Sequence, residues 1–353
     1  MDKTKMQITS DFGSDWWNDS CDLKELQDAV DQGAVGATSN PVIIKMVVEN
    51  KPDEWLPVID RLISDSPNGT EDDITWALVD DIGTRAAKIL EPVYHKTNGE
   101  KGKLSLQVSP KYYPDPERMV EQAKHLAGLA PNIAIKCPAI APGLEAIEEL
   151  VSQGITINAT VSFSVPQAVR CAEAVERGWK RAEENGVDTS KLSPYVTIMV
   201  GRIDDHLRGI AKDESITIDP DYLDWAGVAI FKRAYQIFNE RGYRSKLLSA
   251  AFRCHMHWSE LVGGNVVISM PYEWWNKFNE SDVEVKNRME QDVDKKIIDQ
   301  LQEKFVDFRR AYEEDGMKVD EFLQFGPSNR TLRQFLSGYD GLAGIVRERM
   351  LAS

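Results

Sequence analysis

The feature that most constrains this 353-residue sequence is a regular alternation between short apolar runs and longer amphipathic stretches. The short runs are rich in β-branched residues and several are apolar on both faces, which is typical of covered parallel strands. The stretches between them, such as Pro116–Leu129, carry apolar residues at helical spacing. Eight runs have this strand character: Gln7–Phe12, Ala34–Ser39, Leu104–Val108, Ile133–Cys137, Thr156–Ser162, Tyr195–Gly201, Lys246–Phe252 and Val266–Met270.

Strand–helix alternation of this kind indicates βαβ units and a parallel sheet. Eight units favour a (β/α)8 TIM barrel over a doubly wound sheet, and no glycine-rich nucleotide-binding motif follows a strand. We predict one domain, with a barrel over residues 1–275 that carries the active site. Residues 276–353 are predicted to be a helical extension packed on the barrel, with helices over Val283–Asp315 and Thr331–Met350.

Charge and composition limit the classes of partner. The 57 acidic and 42 basic side chains give a net charge of −15, which argues against nucleic-acid and membrane partners. A small anionic substrate is still allowed, because a pocket needs only a few local cations. No leader pattern and no run of 18 apolar residues occurs, so a cytoplasmic location is expected. The sequence leaves homo-oligomerisation open.

Metal binding is not expected. The four cysteines are scattered without the spacing of a metal site or a disulfide framework. His255 and His257 could share one face of a strand, but no third ligand lies at matching spacing.

Polar residues lie at the ends of most predicted strands, where a barrel of this kind carries its active site. In chain order they are Asp11, Asn40, Gln107, Lys136, Asn158, Thr160, Arg202 and Arg253. Apolar packing alone does not explain such a set. The sequence therefore predicts a polar site at the carboxyl ends of the strands.

Four of these positions have both a functional and a structural interpretation. Lys136 lies among apolar residues, where burial lowers the pKa of an amine and leaves it neutral and nucleophilic. Alternatively, a lysine at a strand end can extend its charged group to solvent. Asp11 could exchange a proton with a substrate hydroxyl or cap a helix. Arg202 and Arg253 follow neighbouring strands and could clamp an anion or form ordinary salt bridges.

The chain resembles the transaldolase family of Schiff-base (class I) aldolases. The resemblance is carried by motifs that occur in the family's order over residues from about 7 to 270. They are Thr38-Ser39-Asn40-Pro41, Leu90-Glu91-Pro92-Val93-Tyr94, Leu104-Ser105-Leu106-Gln107-Val108-Ser109-Pro110, Ile135-Lys136-Cys137-Pro138-Ala139, Asn158-Ala159-Thr160-Val161-Ser162-Phe163-Ser164, Val200-Gly201-Arg202-Ile203-Asp204-Asp205 and Ala250-Ala251-Phe252-Arg253.

The resemblance implies a barrel enzyme that transfers a dihydroxyacetone unit from a ketose phosphate, or a ketose with another anionic terminus, to an aldose. It implies that Lys136 forms the imine and that Asp11 is the acid/base. Since the imine is the electron sink, no cofactor is implied. The expected partners are sugar phosphates or other anionic sugars.

The remaining positions match binding residues of the family. By the resemblance, Asn40 and Asn158 hold donor hydroxyls and Thr160 orients the catalytic water. Arg202 and Arg253 match the phosphate-binding arginines.

Several residues depart from the family's pattern. Gln107 stands where typical transaldolases have glutamate, and an amide can position a water but cannot carry its proton. Met199 stands where the fructose-6-phosphate aldolase branch has a tyrosine. In the predicted anion pocket, Ala251 and Thr197 stand where serines are usual, and Thr197 is expected to bind the substrate. A sulfonate would therefore suit the anion site as well as a phosphate. An aldolase that releases free dihydroxyacetone and a non-catalytic sugar-phosphate-binding barrel are the alternatives.

Overall fold

The computed structural model describes residues 3–352, and in this range eight parallel strands close into a barrel in which β1 pairs with β8. The predicted (β/α)8 TIM barrel is confirmed. Met1 and Asp2, at the start of the predicted barrel part, and Ser353, at the end of the predicted helical extension, lie outside the described residues. The strands are β1 (Asp15–Asn18), β2 (Gly36–Thr38), β3 (Lys103–Gln107), β4 (Ile133–Pro138), β5 (Ile157–Thr160), β6 (Tyr195–Met199), β7 (Lys246–Ala250) and β8 (Val266–Met270).

Helices connect the strands and form the C-terminal region. They are α1 (Lys5–Asp11), α2 (Leu23–Asp31), α3 (Pro41–Asn50), α4 (Pro52–Asp65), α5 (Glu71–Lys96), α6 (Pro116–Ala127), α7 (Ala141–Ser152), α8 (Val165–Glu184), α9 (Val200–Asp213), α10 (Pro220–Leu223), α11 (Ala226–Arg241), α12 (Met256–Ser259), α13 (Tyr272–Glu280), α14 (Lys295–Lys304), α15 (Val306–Tyr312) and α16 (Gly326–Ala352). Of the helices described, none is long and apolar enough to cross a membrane.

The first predicted strand is wrong, because Gln7–Phe12 lies mostly in helix α1. Thr4 starts this helix with a capping box in which its hydroxyl accepts from the Gln7 amide and Gln7 Oε1 accepts from the Thr4 amide. The first strand is Asp15–Asn18, all four of whose residues are buried. Since a parallel strand is covered on both faces, no alternation marks it in the sequence.

The other seven predicted strands are confirmed, with ends that differ by a few residues. The single helix predicted over Val283–Asp315 is wrong. Its helical part is α14 and α15, where the Asp294 carboxylate accepts from the Lys296 amide and caps α14. Phe305 separates the two helices in an extended conformation with φ −124° and ψ 108°. The helix predicted over Thr331–Met350 is confirmed within α16.

Side-chain alternation along the strands separates the helix-facing core from the barrel interior. A small apolar cluster from four strands fills the interior: Trp17, Tyr195, Leu248, Ala250 and Val267. Gly36 makes room for the Trp17 ring, since a Cβ there would lie 2.3 Å from Trp17 Cε2. The same alternation turns Lys136 of β4 inward, because Ile135 and Cys137 belong to the helix-facing core.

Helix α16 crosses the carboxyl-end face of the barrel. Gly338 packs against the first turn of α3, where a Cβ would lie 2.7 Å from Val42 Cγ2. Near its beginning, Thr331 contacts Arg202 in α9 at 3.3 Å. Since α3 follows β2 and α9 follows β6, on opposite sides of an eight-stranded barrel, α16 spans the mouth between them.

Candidate active site

Lys136 lies inside the barrel at the carboxyl end of β4. Its side chain is 5% exposed, and its Nζ donates a hydrogen bond of 3.0 Å to the carbonyl oxygen of Ser39. Burial lowers the pKa of Lys136 to about 8, and the negative charge of Asp19 opposes this shift. At pH 7 roughly a tenth of such amines are neutral, so this one can attack a carbonyl carbon.

Asp19 follows β1 and continues the inward alternation of Asp15 and Trp17. Its backbone amide donates to Met270 O at 2.8 Å, which ties it to the end of β8. Its carboxylate accepts a hydrogen bond from the Thr38 hydroxyl. Burial raises the pKa of Asp19, although Lys136, Thr38 and Arg202 oppose the shift. A carboxyl with a raised pKa beside a buried amine can take up and return a proton.

The expected placement of Asp11 is wrong. It is the last residue of α1, its side chain is 51% exposed, and it forms an ion pair of 2.8 Å with Lys3. The misassigned first strand caused this error, because Asp19 is the carboxylate at the end of the true first strand. The capping pattern of Thr4 and Gln7 is the sequence signal that could have moved the strand to Asp15–Asn18.

Asn158 is the centre of a buried hydrogen-bond chain across three strands. Its Nδ2 donates to Ser105 Oγ at 3.0 Å, and its Oδ1 accepts from Thr197 Oγ1 at 2.7 Å. Thr197 therefore supports Asn158, and its predicted contact with the substrate stays a prediction. Asn158 pairs in register with Lys136, so these hydrogen bonds fix the Asn158 side-chain amide beside the Lys136 amine.

Gln107 also pairs in register with Lys136, on the other neighbouring strand. Its Oε1 is buried and has no hydrogen-bond partner within residues 3–352. Together with Asn40 it lines a small cavity that Trp76 and Tyr339 close. Asn40 Oδ1 is already occupied, because it accepts from the Val42 and Ile43 amides and caps α3.

The structure brings Arg202 and Arg253 together. Burial and the charge of Arg253 lower the pKa of Arg202, as expected of neighbouring guanidinium groups. Arg202 Nη1 donates to Thr331 Oγ1 at 3.3 Å and to the side-chain oxygen of Gln334. Arg253 instead holds Asp205 Oδ2 with Nε and Nη2, each at 2.8 Å.

A buried His257–Asp204 pair supports Arg253 from behind. His257 Nε2 lies 2.7 Å from Asp204 Oδ2, and its Nδ1 accepts from the Arg253 amide at 3.0 Å. Both ring nitrogens thus serve the protein's own hydrogen bonds. Within the part of the chain that the structure describes, no group of three metal-ligating side chains comes together.

Thr160, 1% exposed, ends β5 next to a strained residue. Val161 has φ 55° and Ala251, after β7, has φ 64°, values that residues with a Cβ rarely adopt. Buried Gln167 holds the first of these turns, since its Nε2 donates to Val161 O and Ala139 O at 3.1 Å each. The same nitrogen donates to Ser328 of α16 at 3.1 Å.

Comparison with known proteins gives one consistent family. The family model described as transaldolase/fructose-6-phosphate aldolase matches residues 16–324. Among curated relatives, a transaldolase of Arthrobacter sp. (strain FB24) is 28% identical over 67% of this chain. Transaldolase 2 of Streptomyces coelicolor is 31% identical over 65% of it, and a transaldolase of Thiobacillus denitrificans is 29% identical over 67%.

These alignments also cover only part of the relatives. The chain spans 65% of the Arthrobacter protein, 63% of the Streptomyces protein and 68% of the Thiobacillus protein. The family match runs from residue 16, inside β1, to residue 324, beyond β8.

Proposed function

Because the chain belongs to the transaldolase/fructose-6-phosphate aldolase family, we propose that it transfers a dihydroxyacetone unit from an anionic ketose to an aldose. The observation that carries this proposal is the buried amine of Lys136, whose pKa is lowered to about 8, beside Asp19 at the carboxyl ends of the strands. A family match of this breadth supports the same chemistry. The donor is a sugar phosphate or a ketose with another anionic end, such as a sulfonate.

In this mechanism the neutral Lys136 amine attacks C2 of the donor ketose. Loss of water from the adduct gives an imine, which serves as the electron sink. Asp19 takes the proton of the C4 hydroxyl while the C3–C4 bond breaks. The bonding electrons pass into an enamine, and the fragment that carries C4 leaves as an aldehyde. The enamine then attacks the acceptor aldehyde, and Asp19 returns the proton to the new hydroxyl. Water finally releases the product from Lys136, and the scheme requires no metal or organic cofactor.

The other polar groups orient the donor and the water. The free Nδ2 hydrogen of Asn158 suits a donor hydroxyl, since its other side-chain contacts are already made. Asn40 keeps its Nδ2 for the same purpose. The unpaired Gln107 Oε1 suits a hydroxyl or a water, which Thr160 helps to hold.

We expect a ketose donor to become attached to Lys136 when cyanoborohydride reduces the imine. The rate of attachment should rise about tenfold per pH unit up to pH 8 and level off above it, because only the neutral amine reacts. Peptide mass spectrometry after short exposures at pH 6–10 measures both the site and the pH profile.

The chain supplies its own control for this experiment. Lys103, at the amino end of β3, is 2% exposed and burial also lowers its pKa to about 8, but it faces Tyr94 and Lys191. Attachment at Lys136 without attachment at Lys103 shows that the site selects the amine. Equal labelling of both lysines, or labelling of neither, contradicts the proposal. A sugar-binding barrel without catalysis would give no attachment.

Release of free dihydroxyacetone to water is the second candidate function, and Gln107 favours it because the fructose-6-phosphate aldolase branch also has glutamine at this position. Helix α16 favours transfer, since it crosses the mouth and restricts bulk water. We therefore expect free dihydroxyacetone to accumulate at least tenfold more slowly than product forms when an aldose phosphate acceptor is present. Rapid release at the full catalytic rate without an acceptor would make the enzyme an aldolase.

A further inference from the structure

The two arginines of the anion site are not equivalent in the structure. Arg253 uses its Nε–Nη2 edge on the Asp205 carboxylate, and its Nη1 donates to Phe252 O at 2.8 Å and Ala251 O at 3.3 Å. Its charge is compensated by Asp205, and four of its five N–H donors are used. Arg202 has contacts only through Nη1, whereas its Nε is buried and, like Nη2, has no hydrogen-bond partner within residues 3–352.

The free edge of Arg202 has the geometry that an oxyanion requires. Nε and Nη2 form one planar fork, which matches two oxygens of a phosphate, sulfonate or carboxylate. A buried donor without a partner is costly, so an unpaired fork of this kind in a half-buried site indicates a ligand.

The contacts on the other edge of Arg202 come from neutral oxygens. Thr331 Oγ1 and Gln334 Oε1, both on α16, accept from Nη1. They fix the guanidinium without cancelling its charge, as a carboxylate would. Arg330, one turn before Gln334, adds a second positive charge near Arg202 and has no ion-pair partner among the residues described. The negative charges of Asp205 and Asp19 also act on Arg202, but Asp205 is held by Arg253.

The resemblance already implies that Arg202 binds the substrate's anionic end. We propose that Thr331 and Gln334 are positioning residues that hold the Arg202 guanidinium through Nη1 and leave its Nε–Nη2 edge open to that anion. Helix α16 thereby sets the preference for charged over uncharged donors. The inference rests on the proposed function, in which the donor carries a phosphate or sulfonate.

The test replaces Gln334 by glutamate, which keeps the shape and places a carboxylate on Arg202. Gln334 is exposed, so the barrel core is untouched. We expect the KM for fructose 6-phosphate to rise roughly 10- to 100-fold with kcat little changed, because a charge-assisted contact is lost. The KM for unphosphorylated fructose should stay within about twofold, since that donor makes no charge-assisted contact. Gln334→Ala should give a smaller rise in the same direction.

Arg333→Gln is the matched control. It changes the net charge by the same amount on the same helix, but Arg333 faces away from the site and its Nε donates to Asn329 at 2.7 Å. We expect no selective effect on the phosphorylated donor. If Gln334→Glu affects both donors equally, or if Gln334→Ala lowers the KM for the phosphorylated donor, Gln334 does not position Arg202 and the inference is wrong.

A binding measurement separates this inference from the proposed function. Titration calorimetry with inorganic phosphate needs no turnover and should show weaker binding in Gln334→Glu than in Arg333→Gln. If that difference appears while no imine forms on Lys136, the anion site stands and the transfer chemistry fails. If the unaltered protein does not bind inorganic phosphate, Arg202 has no anion to be positioned for and the inference is overturned.

Discussion

Replacing Lys136 by methionine is expected to abolish turnover while the barrel remains folded. Methionine keeps most of the volume of the lysine stem and removes the amine that would form the imine. Loss of a covalent nucleophile costs on the order of 10⁴-fold or more in kcat. The fold should tolerate the change. Burying the amine costs free energy that a single hydrogen bond only partly offsets, and methionine has no such cost. Steady-state kinetics and thermal unfolding of the same preparation measure the two effects.

The same substitution at Lys103 is the control, because this lysine is as buried as Lys136 and lies at the amino end of the barrel. Lys103→Met should keep the kcat per folded molecule within about threefold, since a residue remote from the reacting atoms gives no transition-state contact. Turnover of Lys136→Met at the unaltered rate would reject the imine mechanism. An equal loss in both variants would point to a general packing defect.

Replacing Asp19 by asparagine is expected to slow carbon–carbon bond cleavage by roughly 10² to 10⁴, the usual contribution of a positioned acid/base. Asparagine keeps the shape and can still accept the Thr38 hydrogen bond, but it cannot take the C4 hydroxyl proton. The imine on Lys136 should still form. Rapid-quench measurement of cleavage, with reductive trapping of the imine alongside, separates the two steps.

Asp11→Asn provides the comparison, since this exposed carboxylate pairs with Lys3 alone among the residues that the structure describes. A surface ion pair of this kind contributes little to stability, so activity and thermal stability should stay near those of the unaltered protein. A large loss in Asp11→Asn with normal cleavage in Asp19→Asn would restore the assignment made from sequence.

The fold could be predicted because buried parallel strands leave apolar runs that recur through the chain. Strand β1 escaped this signal, since Asp15 and Asn18 flank its two tryptophans and make it look like a polar loop. Ile8 in the preceding helix α1 and Phe12 just after that helix give the apolar spacing of a strand. A single misread element therefore moved the predicted acid from Asp19 to Asp11.

The site was predictable where a polar residue interrupts an apolar strand, as Lys136 does in β4. It was not predictable where contacts join distant parts of the chain. Arg202 meets Thr331 and Gln334 across 129 and 132 residues, and Gln167 meets Ser328 across 161. No local sequence pattern predicts contacts between residues so far apart in the chain, because these contacts depend on how α16 lies across the closed barrel. The assignments of individual site residues stay predictions until the variants are measured.

The left-handed turns at Val161 and Ala251 have a consequence for how this protein can be altered. Each such conformation costs about 1–3 kcal/mol, a noticeable share of the roughly 5–15 kcal/mol that holds a typical domain together. Glycine would relieve that strain at either turn, and it would also free the backbone beside Thr160 or Arg253. A substitution that raises thermal stability at these two positions would therefore also loosen the backbone that positions the proposed site. Directed evolution for heat resistance alone would select such substitutions at the expense of activity.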